Sequence, residues 1–215
     1  MHRISKADLL SMLNSAFGLL SIIFSLKGEF WNSGIMIFLA SLSDGIDGLM
    51  ARKYGSSEIG RFLDSLADLV SFCIAPLVLV LSLHKPALLF MPFLLFFLFT
   101  SILRLASYPL KKSTDFFVGL PVPAAGLVVT LLALLKLHPI YLISSMIILS
   151  SLMISDLHFP KIKGRYAIVA FILIISTAIL RDNFHSISPI LLLLSLLIYI
   201  IFGPFYCKAF KQKVP

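Results

Sequence analysis

Long apolar stretches recur along the whole chain, and they decide what it can fold into. Eight such segments follow one another, at about residues 8–26, 31–52, 58–83, 86–108, 117–136, 139–156, 166–181 and 187–207. A helix of about 20 apolar residues crosses a bilayer, and in lipid a helix satisfies its backbone hydrogen bonds internally. Charged residues make up only 13% of the sequence, and the mean hydropathy is +1.02. The sequence therefore predicts an all-α fold, a polytopic membrane helix bundle with about eight transmembrane helices.

The basic residues lie in the short segments between the apolar stretches and indicate an orientation. If the N-terminus is cytoplasmic, thirteen Lys and Arg residues fall on the cytoplasmic side and four on the other. Cytoplasmic loops are enriched in Lys and Arg, so both termini are predicted to be cytoplasmic. The net charge of +8 is dispersed among these loops. This dispersal favours contacts with anionic membrane lipids and predicts no nucleic-acid partner.

The acidic residues are concentrated in one short stretch. The chain has ten Asp and Glu residues, and half of them are Asp44, Asp47, Glu58, Asp64 and Asp68. An ionised carboxylate within apolar sequence is energetically costly, so the four Asp residues indicate a functional site. Asp44 and Asp47 are three residues apart, and Asp64 and Asp68 are four apart. Each pair therefore lies on one face of a helix.

The short link between these two helices makes them antiparallel neighbours, and their acidic faces can then converge. Four carboxylates this close repel one another unless cations neutralise them. Oxygen ligands favour hard cations such as Mg²⁺, Mn²⁺ or Ca²⁺, and four carboxylates can hold two ions, as phosphoryl-transfer sites do. The alternative is a buried ion-pair network with Arg52, Lys53 and Arg61. Four acids on converging faces exceed what helix packing requires.

Small residues beside the acids leave room for a bulky ligand. Gly48, Ala51 and Gly60 allow a ligand to approach the helix backbone next to the predicted metals. Arg52, one turn from Gly48, can hold a phosphate group through charge-assisted hydrogen bonds. The pattern is typical of a site for a phosphorylated molecule.

The first apolar segment carries a stripe of small and polar residues. Its members are Ser11, Asn14, Gly18 and Ser21, which share one face of a helix. Such a stripe is typical of a surface on which another helix packs closely. A second interpretation is that Ser11 and Asn14 line a polar site near the cytoplasmic end.

Further polar candidates follow the acidic stretch. Arg104 is a lone cation near the end of the fourth segment, where it either snorkels to the interface or clamps a carboxylate or phosphate. Residues 117–126 contain two prolines and two glycines, which predicts an irregular helix start that lines a cavity. Lys111 and Lys112 are either ordinary cytoplasmic anchors or part of a site for a phosphorylated acceptor.

The acidic stretch carries a resemblance to a known family. It reads Asp44-x₂-Asp47-Gly48-x₂-Ala51-Arg52-x₇-Gly60-x₃-Asp64-x₃-Asp68. This pattern resembles the signature of the CDP-alcohol phosphatidyltransferases, with one residue fewer than usual between the Arg and the second Gly. Several further stretches are similar to the phosphatidylserine synthase branch of that family, namely residues 63–72, 75–76, 103–106, 119–125, 152–155 and 159–161.

The resemblance implies an enzyme that transfers a phosphatidyl or archaetidyl group from a CDP-linked lipid to an alcohol and releases CMP. It implies two divalent cations, Mg²⁺ or Mn²⁺, and a general base, Asp68. The residues that it assigns to the metals are Asp44, Asp47, Asp64 and Asp68. The residues that it assigns to the nucleotide are Gly48, Ala51, Arg52 and Gly60. Ser11 and Asn14, on the polar stripe of the first segment, are added as predicted nucleotide contacts.

For the branch that the residues resemble, the acceptor is L-serine, which Arg104, Lys111 and Lys112 would bind. The resemblance also implies a single integral-membrane domain over residues 1–215. Its catalytic core spans about residues 8–157, and two additional helices follow at about 166–207. The enzyme would be a homodimer in the cytoplasmic membrane, surrounded by membrane lipids, with its active site at the cytoplasmic face.

Two alternatives stay open at this point. The acceptor can be glycerol 3-phosphate or an inositol phosphate, although a phosphorylated acceptor requires several converging basic residues. In another class of protein, a divalent-cation transporter, the acidic cluster would be the ion site. Transporters usually show internal repeats or paired broken helices, and the sequence pattern favours neither.

Overall fold

The computed structural model describes residues 5–55, 57, 59–84, 88–107, 116–162, 164–180 and 187–211, which are mostly helical. The first half comprises α1 (Lys6–Leu26), α2 (Phe30–Tyr54), α3 (Gly60–Asp68), a π-helical segment (Leu69–Ile74), α4 (Ala75–His84), a 3₁₀ turn (Leu88–Phe90) and α5 (Met91–Ser107). The second half comprises β1 (Phe116–Val118), α6 (Val122–Leu134), α7 (Pro139–Ile154), β2 (His158–Pro160), α8 (Arg165–Leu180) and α9 (Ile187–Lys211).

Four helical spans are long and apolar enough to cross a membrane. They are Lys6–Leu26, Phe30–Ala51, Gly60–His84 and Ile187–Lys208. Four shorter apolar helices, of 10–17 residues, occur in the second half of the chain and in α5. Large apolar side chains such as Leu19, Phe99, Ile148 and Ile172 stay exposed on the outside of the bundle. Exposed apolar surface of this extent is what lipid covers, so the predicted membrane helix bundle is confirmed as an architecture.

Helices α1 and α2 are antiparallel neighbours along their whole length. The start of α1 is fixed by a capping box, in which the side chains and backbone N–H groups of Ser5 and Asp8 bond reciprocally. Near this end the Ser43 hydroxyl of α2 donates to the backbone oxygen of Leu10 at 2.8 Å. Near the other end the Ser33 hydroxyl of α2 bonds to the hydroxyl of Ser25 at 2.7 Å.

The third span is a continuous helix with a π-helical segment in its middle. The sequence predicts a kink at Pro76, which removes a backbone donor, and the structure places Leu69–Ile74 in π-helical geometry just before it. Two glycines let neighbouring helices approach this segment closely. A Cβ atom added at Gly18 of α1 would lie 2.5 Å from Ser71 Oγ, and one at Gly126 of α6 would lie 2.5 Å from Phe72 O. The segment is therefore clamped between α1 and α6.

Helix α6 forms the centre of the bundle. Most of its residues are buried, and it packs against α2, α4, α7, α9 and the π-helical segment. The largest fully buried side chains of the surrounding core include those of Phe38, Phe72 and Phe97. The core therefore surrounds the span that carries Asp64 and Asp68.

The structure adds one small sheet to the predicted all-α bundle. Strands β1 and β2 pair antiparallel, with Phe117 opposite Phe159. The apolar segment predicted from residue 117 therefore begins as a strand, and its helix starts only at Val122. Pro121 precedes the helix, because a proline fits a helix start but not its interior.

Helix α9 holds this small sheet in place. The Tyr199 hydroxyl donates to the backbone oxygen of Pro160 at 3.1 Å. A Cβ atom at Gly203 would lie 3.1 Å from the Pro160 ring, so the helix backbone runs close to β2. Helix α9 thus contacts β2 directly, and the pairing of β2 with β1 extends this support to the segment that precedes α6.

Candidate active site

Three of the four predicted carboxylates meet in one cluster. Asp44 lies in the second half of α2, while Asp64 and Asp68 lie on α3. Each of the three offers one carboxylate oxygen, and these oxygens all lie within 4.8 Å of one another. We call Asp44, Asp64 and Asp68 the carboxylate cluster. Helices α2 and α3 both pack against α1, and the oxygens of Asp44, Asp64 and Asp68 meet beside it.

Asp47 lies beside this cluster and has its own partner. Its carboxylate is 5% exposed and accepts a hydrogen bond of 2.8 Å from the Ser11 hydroxyl of α1. The predicted metal ligand is therefore adjacent to the three converging oxygens but is not one of them.

Asp68 is oriented from α1 as well. Its Oδ1 accepts a hydrogen bond of 3.0 Å from Nδ2 of Asn14. The backbone oxygen of Asn14 in turn accepts a hydrogen bond of 2.8 Å from the Ser71 hydroxyl in the π-helical segment. Ser11 and Asn14, which are predicted to contact the nucleotide, thus each hold a carboxylate of the site.

The donor set of the carboxylate cluster fits hard divalent cations. Asp64 Oδ1 is buried and has no hydrogen-bond partner within the described ranges. Three carboxylates that converge in a mostly apolar bundle need positive charge, and oxygen-only ligands favour Mg²⁺ or Mn²⁺. The alternative ion-pair network receives little support from Arg61, whose side chain is exposed.

The face of α2 next to the carboxylates is open. A Cβ atom added at Gly48 would meet no described atom within 4 Å, and the same holds for Gly45. Ala51 is half-buried and Gly60, at the start of α3, is buried. The side chain of Arg52 lies outside the described part of the structure. The described residues therefore leave room for a ligand along the last turns of α2.

Arg104 is buried, at 7% exposed, near the end of α5. Its Nε donates to the backbone oxygen of Leu120 at 3.3 Å, and its Nη2 donates to that of Gly119 at 3.4 Å. Gly119 has φ +81°, and a Cβ atom there would crowd Arg104 Nε at 3.2 Å. The guanidinium is thus directed inward to the β1–α6 turn, and it does not snorkel to the surface. Lys111 and Lys112 lie outside the described residues.

The sequence patterns above do not single out Asp8 or Ser57. Asp8 is 1% exposed in the first turn of α1, and Ser57 lies in the connection between α2 and α3. Asp8 Oδ1 and Ser57 Oγ are both buried, and neither has a hydrogen-bond partner among the described residues. The only sequence signal for Asp8 is the capping box with Ser5, which by itself predicts a structural role.

Comparison with known proteins places these residues in a family. Residues 5–157 match the family model of the CDP-alcohol phosphatidyltransferases. A CDP-diacylglycerol–serine O-phosphatidyltransferase of Methanocaldococcus jannaschii is 35% identical over 93% of this chain and 92% of its own length. An archaetidylserine synthase of Methanothermobacter thermautotrophicus is 37% identical over 78% of this chain and 74% of its own length.

A bacterial relative has the same level of similarity. The CDP-diacylglycerol–serine O-phosphatidyltransferase of Bacillus subtilis is 35% identical over 72% of this chain and 89% of its own length. These matches confirm the resemblance carried by the acidic stretch. The chain, with its cluster of carboxylates between two apolar helices, belongs to the CDP-alcohol phosphatidyltransferase family of membrane enzymes.

Proposed function

We propose that this enzyme transfers a phosphatidyl or archaetidyl group from a CDP-linked lipid to the hydroxyl of L-serine and releases CMP. The convergence of Asp44, Asp64 and Asp68 is the single observation that carries the chemistry. The choice of serine is supported by the relatives, two of which are CDP-diacylglycerol–serine O-phosphatidyltransferases and one an archaetidylserine synthase. The hydroxyl oxygen attacks phosphorus, the bond to the CMP oxygen breaks, and the hydroxyl proton goes to a carboxylate.

The carboxylate cluster, with Asp47 beside it, would hold two divalent cations, Mg²⁺ or Mn²⁺. When bound, these ions supply positive charge that stabilises the diphosphate and the departing CMP. Ser11 keeps the Asp47 carboxylate facing the site through its hydrogen bond of 2.8 Å. The donor set, the burial and the unpaired Asp64 oxygen support this assignment.

Asp68 is the proposed general base that takes the proton of the serine hydroxyl. It lies 6% exposed, deeper in the span than Asp64, and Asn14 fixes one of its oxygens. The second oxygen is then available to accept the proton. A fixed carboxylate at the meeting point of three helical elements suits proton transfer, because such a step depends on positioning within hydrogen-bond distance.

The two substrates would contact different sets of residues. Gly48, Ala51 and Gly60 would receive the nucleotide along α2, together with Arg52. Arg104 would receive the serine carboxylate, with the Gly119 and Leu120 carbonyls holding its guanidinium in place. Lys111 and Lys112 are the further acceptor-binding candidates.

The placement of the enzyme in the membrane follows from the basic loops. We expect eight membrane-crossing segments, both termini in the cytoplasm and the active site at the cytoplasmic face of the cytoplasmic membrane. The catalytic unit would be about residues 8–157, with α8 and α9 added to form one domain over residues 1–215. We also expect a homodimer.

The test is a reaction of purified protein with a CDP-linked lipid and Mn²⁺ or Mg²⁺. Serine, glycerol 3-phosphate and an inositol phosphate are supplied separately, and CMP release and the lipid product are measured. We expect serine-dependent CMP release and a new aminophospholipid. Selective use of a phosphorylated acceptor would overturn the assignment of serine. Metal flux into proteoliposomes without CMP release would overturn the enzymatic function.

A further inference from the structure

Helix α9 lies outside the part of the chain that the family model matches, yet it contacts the sheet next to Arg104. The match covers residues 5–157, whereas α9 begins at Ile187. The Tyr199 hydroxyl of α9 donates to the backbone oxygen of Pro160 in β2 at 3.1 Å. The Tyr199 ring also packs against that of Phe159, with 6.0 Å between the ring centroids. The reaction proposed above gives these contacts no part.

The small sheet depends on support of this kind. Strands β1 and β2 have three residues each, and a two-stranded sheet by itself is at best marginally stable. Among the described helices, α9 is the one that contacts β2 most extensively. The middle residue of β2, Phe159, is fully buried, and the backbone of α9 runs close to it at Gly203. The position of the sheet is therefore set by α9.

The sheet in turn positions the backbone groups that hold Arg104. Strand β1 leads directly into Gly119 and Leu120, whose carbonyl groups accept hydrogen bonds from the Arg104 guanidinium. The backbone N–H of Gly119 donates to the oxygen of Leu157, just before β2, at 2.7 Å. The same turn is thus bonded both to the chain that enters β2 and to Arg104.

The guanidinium is sensitive to small movements of this turn. Its two hydrogen bonds, at 3.3 and 3.4 Å, are longer than the usual range for N–H donors, so a slight shift of the carbonyl groups would break them. Arg104 is also close enough for its charge to act on the Tyr199 hydroxyl. The orientation of Arg104 therefore depends on how firmly α9 holds β2.

We propose that Tyr199 is a positioning residue for the acceptor: its hydroxyl holds β2, and through β2 and β1 it fixes the turn that orients Arg104. The inference rests on the proposed function, in which Arg104 receives the serine carboxylate. It gives α9, which follows the family core, a part in recognition of the acceptor.

The kinetic signature follows from the chemistry of serine. Its carboxylate does not change in the reaction, so Arg104 binds it equally well before and during the attack by the hydroxyl. Loss of such uniform binding raises KM and leaves kcat unchanged. Because the CDP-linked lipid does not contact Arg104 in the proposed function, its KM should not change.

The test is Tyr199→Phe in the purified full-length protein, in detergent with Mn²⁺ and a CDP-linked lipid. The change removes the hydroxyl and keeps the ring that packs against Phe159. We expect the KM for serine to rise by roughly three- to tenfold, as the loss of one hydrogen bond allows. KM does not depend on the folded fraction, because unfolded protein does not turn over. An unchanged KM for serine, or an equal rise in KM for both substrates, overturns the inference.

Ser195→Ala is the matched control on the same helix. Ser195 lies one turn before Tyr199, and its hydroxyl donates to the backbone oxygen of Leu192 in α9 at 2.7 Å. Both KM values should equal those of the wild type. A rise in the KM for serine as large as that of Tyr199→Phe would show that any change in α9 has this effect, and it would overturn the role of the Tyr199 hydroxyl.

A double variant tests whether Tyr199 acts through Arg104. Arg104→Lys keeps the positive charge but loses the planar guanidinium. In this background Tyr199→Phe should change the KM for serine by less than about twofold, because residues that act through one another are not additive. The same factor in both backgrounds would show that Tyr199 acts independently of Arg104, which overturns the inference.

The outcomes separate this inference from the proposed function. If the wild type releases no CMP with serine, the proposed function fails, and the role of Tyr199 fails with it. If the wild type uses serine and Tyr199→Phe leaves its KM unchanged, the proposed function stands and the inference about α9 fails alone.

Discussion

Helices α1 and α2 hold two polar clusters of opposite character. At one end, the Ser33 hydroxyl bonds to those of Ser21 and Ser25 at 2.8 and 2.7 Å, and all three side chains are buried. We call these three residues the serine cluster. At the other end, α1 meets Asp47 and the carboxylate cluster, and several buried oxygens there lack a hydrogen-bond partner among the described residues.

The difference distinguishes helix packing from function. The hydroxyls of the serine cluster satisfy one another, so the cluster needs nothing from outside and serves to join two helices. The carboxylates repel one another and leave acceptors unused, which weakens the fold unless a ligand binds. Destabilising features that persist in a folded protein are typical of functional sites. Substitutions in the two clusters should therefore have opposite effects on activity and stability.

The largest effect is expected at Asp68. Asp68→Asn removes the proposed base and one carboxylate of the cluster, so CMP release should fall by at least about a thousandfold, since general bases alone contribute a factor of 10²–10⁴. The measurement is serine-dependent CMP release at saturating Mn²⁺, with the unfolding temperature as a check on folding. Activity within tenfold of the wild type would exclude Asp68 as the base.

Asp64→Asn tests whether the carboxylate cluster destabilises the metal-free protein and stabilises the metal-bound protein. In EDTA the variant should unfold at a higher temperature than the wild type, because one repelling charge is gone. With Mg²⁺ or Mn²⁺ the order should reverse, since a ligand at a hundred times its Kd stabilises the wild type by about 2.7 kcal/mol.

The measurement is thermal unfolding in detergent, with and without metal. Ser33→Ala is the control, and it should gain as much stability from metal as the wild type does. An equal gain for Asp64→Asn and the wild type would show that Asp64 is not a metal ligand, and the contrast between the two clusters would lose its main support.

Much of the carboxylate cluster is predictable from sequence because helical spacing is a local property. Positions three or four residues apart must share a face, and a short connection keeps the acidic residues of α2 and α3 near one another. The membrane architecture follows in the same way from the apolar segments. The separation of Asp47 from the cluster is not predictable, because it depends on the Ser11 hydroxyl, which α1 contributes from 36 positions away in sequence.

The stripe on α1 illustrates the same limit. From sequence the stripe is either a close-packing face or part of a polar site. In the structure one part of the stripe packs against neighbouring helices, and another part contacts the carboxylates. Gly18 lies against the π-helical segment and Ser21 joins the serine cluster, whereas Ser11 and Asn14 bond to carboxylates. Spacing identifies the face of a helix, but only the neighbouring helices decide what each position on that face contacts.

The structure of the segment before α6 is only partly predictable from sequence. Two prolines and two glycines predict an irregular helix start, but not the pairing of β1 with β2, because pairing joins residues about forty positions apart. The same applies to Arg104, whose carbonyl partners Gly119 and Leu120 belong to that turn. Both features depend on contacts between distant parts of the chain.

Asn14→Leu tests the role of α1 at the polar end. The substitution removes the hydrogen bond to Asp68 and leaves no buried amide unpaired. If Asn14 positions Asp68, kcat should fall by about ten- to a hundredfold, as for other residues that orient metal-site ligands, while KM for the CDP-linked lipid changes little.

Steady-state kinetics over a range of CDP-linked lipid concentrations separates the two roles of Asn14. A raised KM with an unchanged kcat would instead mean that the residue contacts the nucleotide, as predicted from the polar stripe of α1. The unfolding temperature in EDTA is the structural readout, and we expect it to change by less than the change caused by Asp64→Asn.

The smallest effect is expected for Ser33→Ala, in the serine cluster. Ser33 bonds to both Ser21 and Ser25, yet the loss should be about 1 kcal/mol or less, because interhelical hydrogen bonds in membranes contribute about 0.6 kcal/mol on average. The remaining two hydroxyls can also turn back to carbonyls of their own helix. Turnover should stay at the wild-type value, because the cluster lies at the far end of α1 from Asp68. A loss of turnover with only a small change in unfolding temperature would mean that the serine cluster affects the active site at the other end of α1. A cluster whose hydrogen bonds are all made within itself could then not be assigned to helix packing alone.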